Sequence, residues 1–266
     1  SENRIFPDRT YHEAGATISD DLSPCNIIFG VKEIPNEDLL PGKAYCFFSH
    51  TIKGQSHNMP MLKRILDLRN TLIDYECIKD QEGRRLVFFG TFAGYAGMID
   101  SFWALGIRMA SRGISNPFSR IRQAIHYDNL EEVRSVLGEL AHLIKNEGLP
   151  ELMVPFICGF TGYGHVSQGA QDIFDLLPFE EIQASSLQEF VETGDFSRHK
   201  LYKVVFIEED MFQPIEREFP FDLQEYYEFP EKYQSIFENY IPHLAMLVNG
   251  IFWAPQYPRI LTKDFL

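Results

Sequence analysis

The sequence has no run of about twenty apolar residues, the length needed to cross a bilayer. Its start also lacks the positively charged segment followed by an apolar one that marks a secretory signal. Basic residues are scarce, with 24 Lys and Arg against 38 Asp and Glu and a formal net charge of -14. Nucleic acids and anionic membranes need a basic surface, so this balance argues against both as partners. We expect a cytoplasmic protein, or a matrix protein if it works in mitochondria, that acts on small molecules.

Cysteine is also scarce. The four cysteines, Cys25, Cys46, Cys77 and Cys158, are scattered singly, and no CxxC pair is present. This spacing predicts free thiols in a reducing compartment and predicts no metal site. Apolar residues make up 45% of the 266-residue chain and charged residues 23%, which is typical of folded proteins. The length allows two domains of ordinary size or one large domain.

Two apolar runs near the start predict neighbouring strands: residues 26–35, NIIFGVKEIP, and residues 45–55, YCFFSHTIKGQ. Short continuous apolar runs are typical of strands buried on both faces of a parallel sheet. The first run breaks at Lys32 and Glu33 and the second at His50. Because ligands bind beyond the carboxyl ends of parallel strands, an ammonium group and an imidazole would face one site. The alternative is that both side chains simply extend into solvent.

Further elements follow from hydrophobic spacing and turn residues. The first half is predicted to contain a helix at 59–70, a third strand at 71–78, a fourth strand at 85–90, a long glycine-containing helix at 91–109 and an amphipathic helix at 129–146. The second half is predicted to contain strands at 152–160, 200–208 and 244–253, with an aromatic and acidic covering segment at 219–240.

A glycine turn follows the strand at 152–160, and a helix follows the turn. Strand, glycine turn and helix form the context of a dinucleotide-binding fingerprint, because glycines let backbone amides approach a pyrophosphate. Gly162 and Gly164 occupy the first two glycine positions of the fingerprint, but Ser167 occupies the third. The alternative is a tight connection that binds nothing.

About twenty residues after the turn, an NAD-binding protein would place an acid that binds the ribose hydroxyl. Residues 183–186, QASS, contain no acid, and Glu180 and Glu181 come slightly early. This absence favours NADP, although no arginine is present there to bind its phosphate. NAD remains the alternative cofactor.

Six motifs spread along nearly the whole chain resemble those of the lysine-2-oxoglutarate reductase (saccharopine-forming) family, and they occur in the family's order. This family lies within the alanine dehydrogenase and saccharopine dehydrogenase superfamily. The motifs are FGVKEIP, FFSHTIKGQ, LIDYE, LVFFGTFAGYAGMID, GFTGYGHVSQGAQ and NGIFWAPQYPRILT. The resemblance implies an α/β protein of two Rossmann-like domains with parallel sheets and a cleft between them. We divide the chain into a catalytic domain at 1–112 that includes the long helix, a helical connector at 113–150 and a dinucleotide-binding domain at 151–266.

The resemblance also implies a reaction, in which NADPH reduces the imine formed from L-lysine and 2-oxoglutarate to give saccharopine. Lys32 and His50 then correspond to the catalytic acid/base pair. A histidine that titrates near neutral pH suits the proton transfers of imine formation, and lysine cations suit the carboxylates of 2-oxoglutarate. The implied substrate-binding residues are Glu33, Lys53, Gln55 and Glu76. The predicted cofactor-binding residues are Thr161, Gly162, Gly164, His165, Val166, Asn249 and Gly250.

Compared with the family pattern, the chain starts after a βαβ segment and stops before a segment that returns to the first domain, so we expect a truncated member. Two alternatives follow. One is a catalytically incomplete or partner-dependent nucleotide-binding module. The other is a related amino-acid dehydrogenase, such as an alanine dehydrogenase. The protein could form a homo-oligomer under each of these interpretations.

Overall fold

A computed structural model describes residues 6–216 and 218–265. The chain divides into two compact units, Ser1–Phe89 and Gly90–Leu266. Each unit contains a parallel sheet with helices, which confirms the predicted α/β class with parallel strands. Among the described helices, none is long and apolar enough to span a membrane.

The strands, in chain order, are β1 Ile27–Phe29, β2 Ala44–Phe47, β3 Thr71–Asp74, β4 Ile157–Thr161, β5 Phe179–Glu181, β6 Leu201–Phe206, β7 Phe212–Pro214, β8 Tyr233–Ser235 and β9 Met246–Asn249. The α-helices are α1 Asp8–Glu13, α2 Met59–Asp67, α3 Gly90–Ser111, α4 Leu130–Glu147, α5 His165–Phe174, α6 Leu187–Thr193, α7 Glu208–Met211 and α8 Leu223–Glu228. Short 3-10 turns connect many of them.

The first unit is built on a three-stranded parallel sheet of order β1-β2-β3. Central strand β2 is buried on both faces through Tyr45, Cys46 and Phe47, as its apolar run predicted. Met61 and Ile65 of α2, one helical turn apart, pack on this core. The carboxyl ends of β2 and β3 therefore lie side by side, in the register that pairs Phe47 with Asp74.

Two predictions for this unit are wrong. Strand β1 is not buried on both faces, because it is an edge strand and the side chain of Phe29 is 73% exposed. The fourth strand expected at 85–90 does not form. Asp80 accepts hydrogen bonds from the backbone of Glu82 and Arg84 and holds a tight turn there, so only one isolated bridge, from Lys79 to Arg85, follows it.

Within the second unit, helices α3 and α5 pack so closely that their backbones are in contact. A Cβ atom on Gly94 would lie 2.1 Å from the carbonyl oxygen of Val166, and one on Gly169 would lie 2.2 Å from that of Thr91. Only glycine allows two helix backbones to come this close. The unit boundary thus falls after Phe89. This differs from the predicted division, which placed the helix within a first domain ending at residue 112.

Helix α4 also belongs to the second unit. Asn129 caps its start by accepting a hydrogen bond from the backbone of Glu132, and Gly148 ends it at a φ of 79°. The buried face of α4 shares a hydrophobic cluster with α3, β4 and α5. Residues 113–150 consequently contribute to the core of this unit, which differs from the separate connector predicted for them.

The second unit contains a four-stranded parallel sheet of order β5-β6-β4-β9. All five residues of β4 are buried, as expected for a central strand. Strand β6, and not the earlier β5, is the neighbour of β4 on one side, and β9 is its neighbour on the other. The covering segment predicted at 219–240 forms α8, β8 and turns, and its Tyr226, Tyr233 and Phe237 pack in a second hydrophobic cluster.

Candidate active site and nucleotide site

The first candidate site lies at the carboxyl end of the β1-β2-β3 sheet and contains a carboxylate–imidazole pair. His50 Nδ1 lies 2.5 Å from Glu33 Oε1. This hydrogen bond from His50 lowers the pKa of the Glu33 carboxyl below its ordinary value, and the positive charge of Lys32 adds to the effect. Because the ionised carboxylate can only accept, Nδ1 carries the proton and donates it. The other ring nitrogen, Nε2, is the one that a substrate could use.

The backbone and one aromatic ring fix the position of His50. Its φ of 54° places it in the left-handed region, which non-glycine residues adopt rarely and often at functional sites. Its ring stacks on Phe48 at a centroid distance of 6.3 Å and an interplanar angle of 18°. Phe48 is itself buried between Tyr75 and Phe89. The imidazole is therefore held in one orientation at the edge of the sheet.

A second polar group at this sheet edge is centred on Glu76, which is only 4% exposed. Its Oε1 atom lies 3.2 Å from Arg85 Nη1 and 3.7 Å from Lys53 Nζ. Arg85 also lies over the ring of Phe48, which connects this group to His50. Two cations share this one carboxylate, and lysine and arginine are the side chains that bind anionic substrates. Among the described residues, Glu76 Oε2 has no hydrogen-bond partner.

Asp74 and Ser49 form hydrogen bonds that stabilise the loops carrying His50 and Glu76. The Ser49 hydroxyl donates to Asp74 Oδ2, and Asp74 Oδ1 accepts the backbone N–H of Glu76 at 2.9 Å. Ser49 Oγ also contacts Thr51 Oγ1 at 2.7 Å. Because Ser49 and Asp74 are buried at the ends of β2 and β3, these bonds fix the loops that carry His50 and Glu76.

The structure brings together most of the residues predicted for this site. Glu33 contacts His50, Glu76 contacts Lys53, and Lys32 is close enough to influence the charge of Glu33. Gln55 is different, since it is exposed at the start of a 3-10 turn and its side chain makes no polar contact with described residues.

Sequence reasoning did not assign Arg85 or Ser49 to the site. Arg85 was assigned to a strand that does not form, and nothing in the local sequence of Ser49 distinguishes it from an ordinary buried serine. Within residues 6–216 and 218–265, no group of three His, Cys, Asp or Glu side chains is arranged to hold a metal ion.

The second candidate site is the glycine turn between β4 and α5. Gly162 has a φ of 78°, and its N–H donates to the carbonyl of Phe206 at 2.8 Å, which ties the turn to the end of β6. Gly164 precedes α5, and no side chain caps this helix start. A Cβ atom on Gly164 would meet nothing within 4 Å, so there is open space beside the turn. Val166 is exposed in the first turn of α5, next to His165.

The end of β9 closes the turn from the other side. Thr161 Oγ1 donates to Asn249 Oδ1 at 2.8 Å and accepts from the N–H of Gly250 at 3.2 Å. A Cβ atom on Gly250 would lie 2.9 Å from Cβ of Ser167. Ser167 fills the third glycine position of the fingerprint, so Gly250 supplies the space that the missing glycine would have given. The turn is therefore closely packed even though Ser167 replaces the third glycine of the fingerprint.

The turn fits the pyrophosphate of a dinucleotide on two structural grounds. An uncapped helix start offers backbone donors to an anion, and the open space beside Gly164 lets the anion approach them. The residues that would hold it are Gly162, Gly164, His165 and Val166, with Thr161, Asn249 and Gly250 supporting the turn. They all belong to one compact unit.

Residues 183–186, about twenty positions after the glycine turn, follow a strand that is not next to the strand before the turn. This strand is β5, an edge strand that β6 separates from β4. The preference for NADP rested on a position that does not adjoin the turn.

Residues 1–96 match the family model described as alanine dehydrogenase/PNT, N-terminal domain. The chain is 38% identical to "Alpha-aminoadipic semialdehyde synthase" of Arabidopsis thaliana over 100% of the chain and 26% of the relative. It is equally 38% identical to "Alpha-aminoadipic semialdehyde synthase, mitochondrial" of Bos taurus over 99% of the chain and 28% of the relative. A "Saccharopine dehydrogenase [NAD(+), L-lysine-forming]" of Candida glabrata is 30% identical over 74% of the chain and 53% of the relative.

Among solved structures, an "L-alanine dehydrogenase" aligns with 74% of the chain and 48% of its own length, with a TM-score of 0.42 and 17% identity.

The chain is similar over its whole length to alpha-aminoadipic semialdehyde synthases, and its first 96 residues match the alanine dehydrogenase/PNT N-terminal domain model. These comparisons confirm the family resemblance that the six motifs indicated. The chain spans about a quarter of the length of the Arabidopsis and cattle relatives, at 26% and 28%.

Proposed function

We propose that this chain carries a saccharopine-forming reductase activity that uses L-lysine, 2-oxoglutarate and a nicotinamide dinucleotide. The observation that carries the proposal is the Glu33–His50 pair at the carboxyl end of a parallel sheet, beside the cation-rich group around Glu76. The similarity to fungal L-lysine-forming saccharopine dehydrogenases, such as that of Candida glabrata, supports it. The two candidate sites would serve one reaction, with the chemistry in the first unit and the nucleotide in the second.

His50 would act as the general acid/base. Condensation of an amine with a ketone requires loss of a proton from the amine, then protonation of the carbinolamine hydroxyl so that it leaves as water. His50 Nε2 can accept the first proton and return one to the hydroxyl, while Glu33 holds Nδ1 and stabilises the charged imidazole. Lys32 is the proposed partner of His50 in these proton transfers.

The cations would bind the substrate carboxylates. Arg85 and Lys53 are both partly exposed and share the buried Glu76, so they can turn toward a dicarboxylate without losing their counter-ion. Gln55 would also contact the substrate, as the resemblance to the lysine-2-oxoglutarate reductase family implies. When bound at the glycine turn, the nicotinamide nucleotide supplies the hydride that reduces the imine carbon.

The direct test mixes the purified chain with L-lysine, 2-oxoglutarate and NADH or NADPH, and follows the absorbance of the reduced nicotinamide. We expect oxidation only when all three are present, with saccharopine as the product identified by mass spectrometry. Nucleotide binding without turnover would indicate the catalytically incomplete module. Oxidation with pyruvate and ammonia in place of lysine and 2-oxoglutarate would indicate an alanine dehydrogenase.

A further inference from the structure

The residues on either side of His50 are hydrogen-bonded to each other. The backbone N–H of Thr51 donates to Ser49 Oγ at 3.2 Å, and the hydroxyl oxygens of the two residues lie 2.7 Å apart. A bond from a backbone N–H to a serine oxygen two residues earlier closes a small turn. Here the turn encloses His50, whose φ of 54° and ψ of 16° lie in the left-handed region. The Ser49 hydroxyl therefore spans the backbone conformation that directs the imidazole.

The Ser49 hydroxyl can hold this turn because Asp74 takes its only proton. Ser49 is fully buried, Asp74 is 7% exposed, and Ser49 donates to Asp74 Oδ2. Both lone pairs of Ser49 Oγ then remain for the N–H and the hydroxyl of Thr51. Asp74 Oδ1 accepts the N–H of Glu76 at 2.9 Å, which fixes the carboxyl group in place. Asp74 thus orients the hydroxyl that closes the turn.

The backbone conformation of His50 decides whether its ring meets Glu33. His50 Nδ1 lies 2.5 Å from Glu33 Oε1, and the two residues follow different strands. The left-handed region is unfavourable for a residue with a side chain, so His50 needs a restraint to stay in it. A change of φ at His50 would move Nδ1 away from the carboxylate. A serine that only filled space would have no such effect on this contact.

We propose that Ser49 is a positioning residue, whose hydroxyl, oriented by Asp74, holds His50 in the left-handed turn that brings the imidazole to Glu33. The inference rests on the proposed function for its catalytic consequence, since that consequence requires His50 to be the acid/base. The placement of the imidazole does not depend on the reaction and can be measured without it.

The test compares Ser49→Ala with the wild-type chain in two measurements. The first is the pKa of the Glu33 carboxyl, followed by NMR of the carboxyl carbon without substrates. The hydrogen bond from His50 lowers this pKa below 4.5 in the wild-type chain, so release of the imidazole should return it toward 4.5.

The second measurement is turnover with L-lysine, 2-oxoglutarate and the reduced nucleotide. In Ser49→Ala, kcat should fall by about tenfold to a hundredfold, because a misplacement of about 1 Å can cost 10²-fold. The KM for 2-oxoglutarate should change by less than about threefold, because Arg85 and Lys53 keep their contacts with Glu76.

Two further variants separate positioning from folding. Asp74→Asn keeps an acceptor for the N–H of Glu76 but removes the acceptor of the Ser49 proton, so it should reproduce both effects. Ser56→Ala removes an exposed hydroxyl from the following 3-10 turn and should change neither measurement. Thermal unfolding of each variant sets a temperature at which all of them are folded.

An unchanged pKa of Glu33, or turnover within about threefold of wild type, in folded Ser49→Ala and Asp74→Asn would overturn this inference and leave the proposed function intact. A raised pKa of Glu33 in both variants, with no turnover by the wild-type chain, would support the placement of His50 by Ser49 and overturn the proposed function.

Discussion

Glu33 and His50 follow different strands, yet Glu33 Oε1 and His50 Nδ1 lie 2.5 Å apart at the carboxyl end of the first sheet. Parallel pairing of β1 with β2 creates this closeness, since it brings the residues after both strands to one edge. The contact holds the imidazole in one tautomer and leaves Nε2 for a substrate. The pair thus has the arrangement that a general acid/base needs.

The hydrogen bond between His50 and Glu33 predicts a pH-dependent stability. In the folded chain the pKa of Glu33 lies below its ordinary value of 4.5 because His50 donates to it. A depressed carboxyl pKa adds stability that is present above the unfolded pKa and is lost as the pH falls through the folded one. Relative to Glu33→Gln, the wild-type chain should therefore be more stable above about pH 4.5, and the two should converge below it.

Urea unfolding at a series of pH values measures this difference. Glu37→Gln is the matched control, because it removes an exposed carboxyl in the nearby 3-10 turn. A stability difference for Glu33→Gln that stays constant from acid to neutral pH would contradict the stabilising hydrogen bond from His50 to the Glu33 carboxylate.

Because α3 and α5 approach so closely, we expect one added methyl group to lower the free energy of unfolding strongly. Gly94→Ala would place Cβ 2.1 Å from a backbone oxygen that cannot rotate away, so we expect a loss of about 3 kcal/mol or more in the free energy of unfolding. Gly97→Ala, on the same helix with nothing within 4 Å of its Cβ, should be neutral or stabilise by up to about 1 kcal/mol. Similar unfolding midpoints for the two variants would contradict the packing described.

The space beside Gly164 predicts a variant that folds but binds nucleotide poorly. Gly164→Ala meets no protein atom within 4 Å, so its stability should change by no more than about 1 kcal/mol. If a pyrophosphate occupies that space, the added methyl group should weaken nucleotide binding by about tenfold or more. Gly138→Ala, in α4 and equally free of close contacts, should leave binding unchanged. Unchanged nucleotide affinity in Gly164→Ala would show that the space is not the pyrophosphate site.

Local sequence predicted the features that depend on local chemistry. Apolar runs located β2, β3, β4 and β6, and glycine spacing located the turn before α5. The polar breaks at Lys32, Glu33 and His50 could be assigned to one site because parallel strands end at one edge. Helices α2, α3 and α4 follow from hydrophobic spacing and, for α4, from its cap residues.

Features that depend on pairing between distant segments could not be predicted. The exposure of Phe29 follows from β1 being an edge strand, and strand order is not encoded in a local apolar run. The contact of Arg85 with Glu76 requires the chain to turn back at Asp80. The strand order of the second sheet could not be predicted for the same reason, because local sequence does not show that β6, and not the earlier β5, pairs with β4.

The measurement that most directly tests the central claim compares turnover and nucleotide affinity in His50→Ala. If His50 is the acid/base of imine formation, the rate of saccharopine formation should fall by about 10²–10⁴-fold. The dissociation constant for the nucleotide should stay within about twofold of wild type, because the glycine turn is untouched. Equal losses of turnover and nucleotide binding, or full turnover without the imidazole, would contradict the claim.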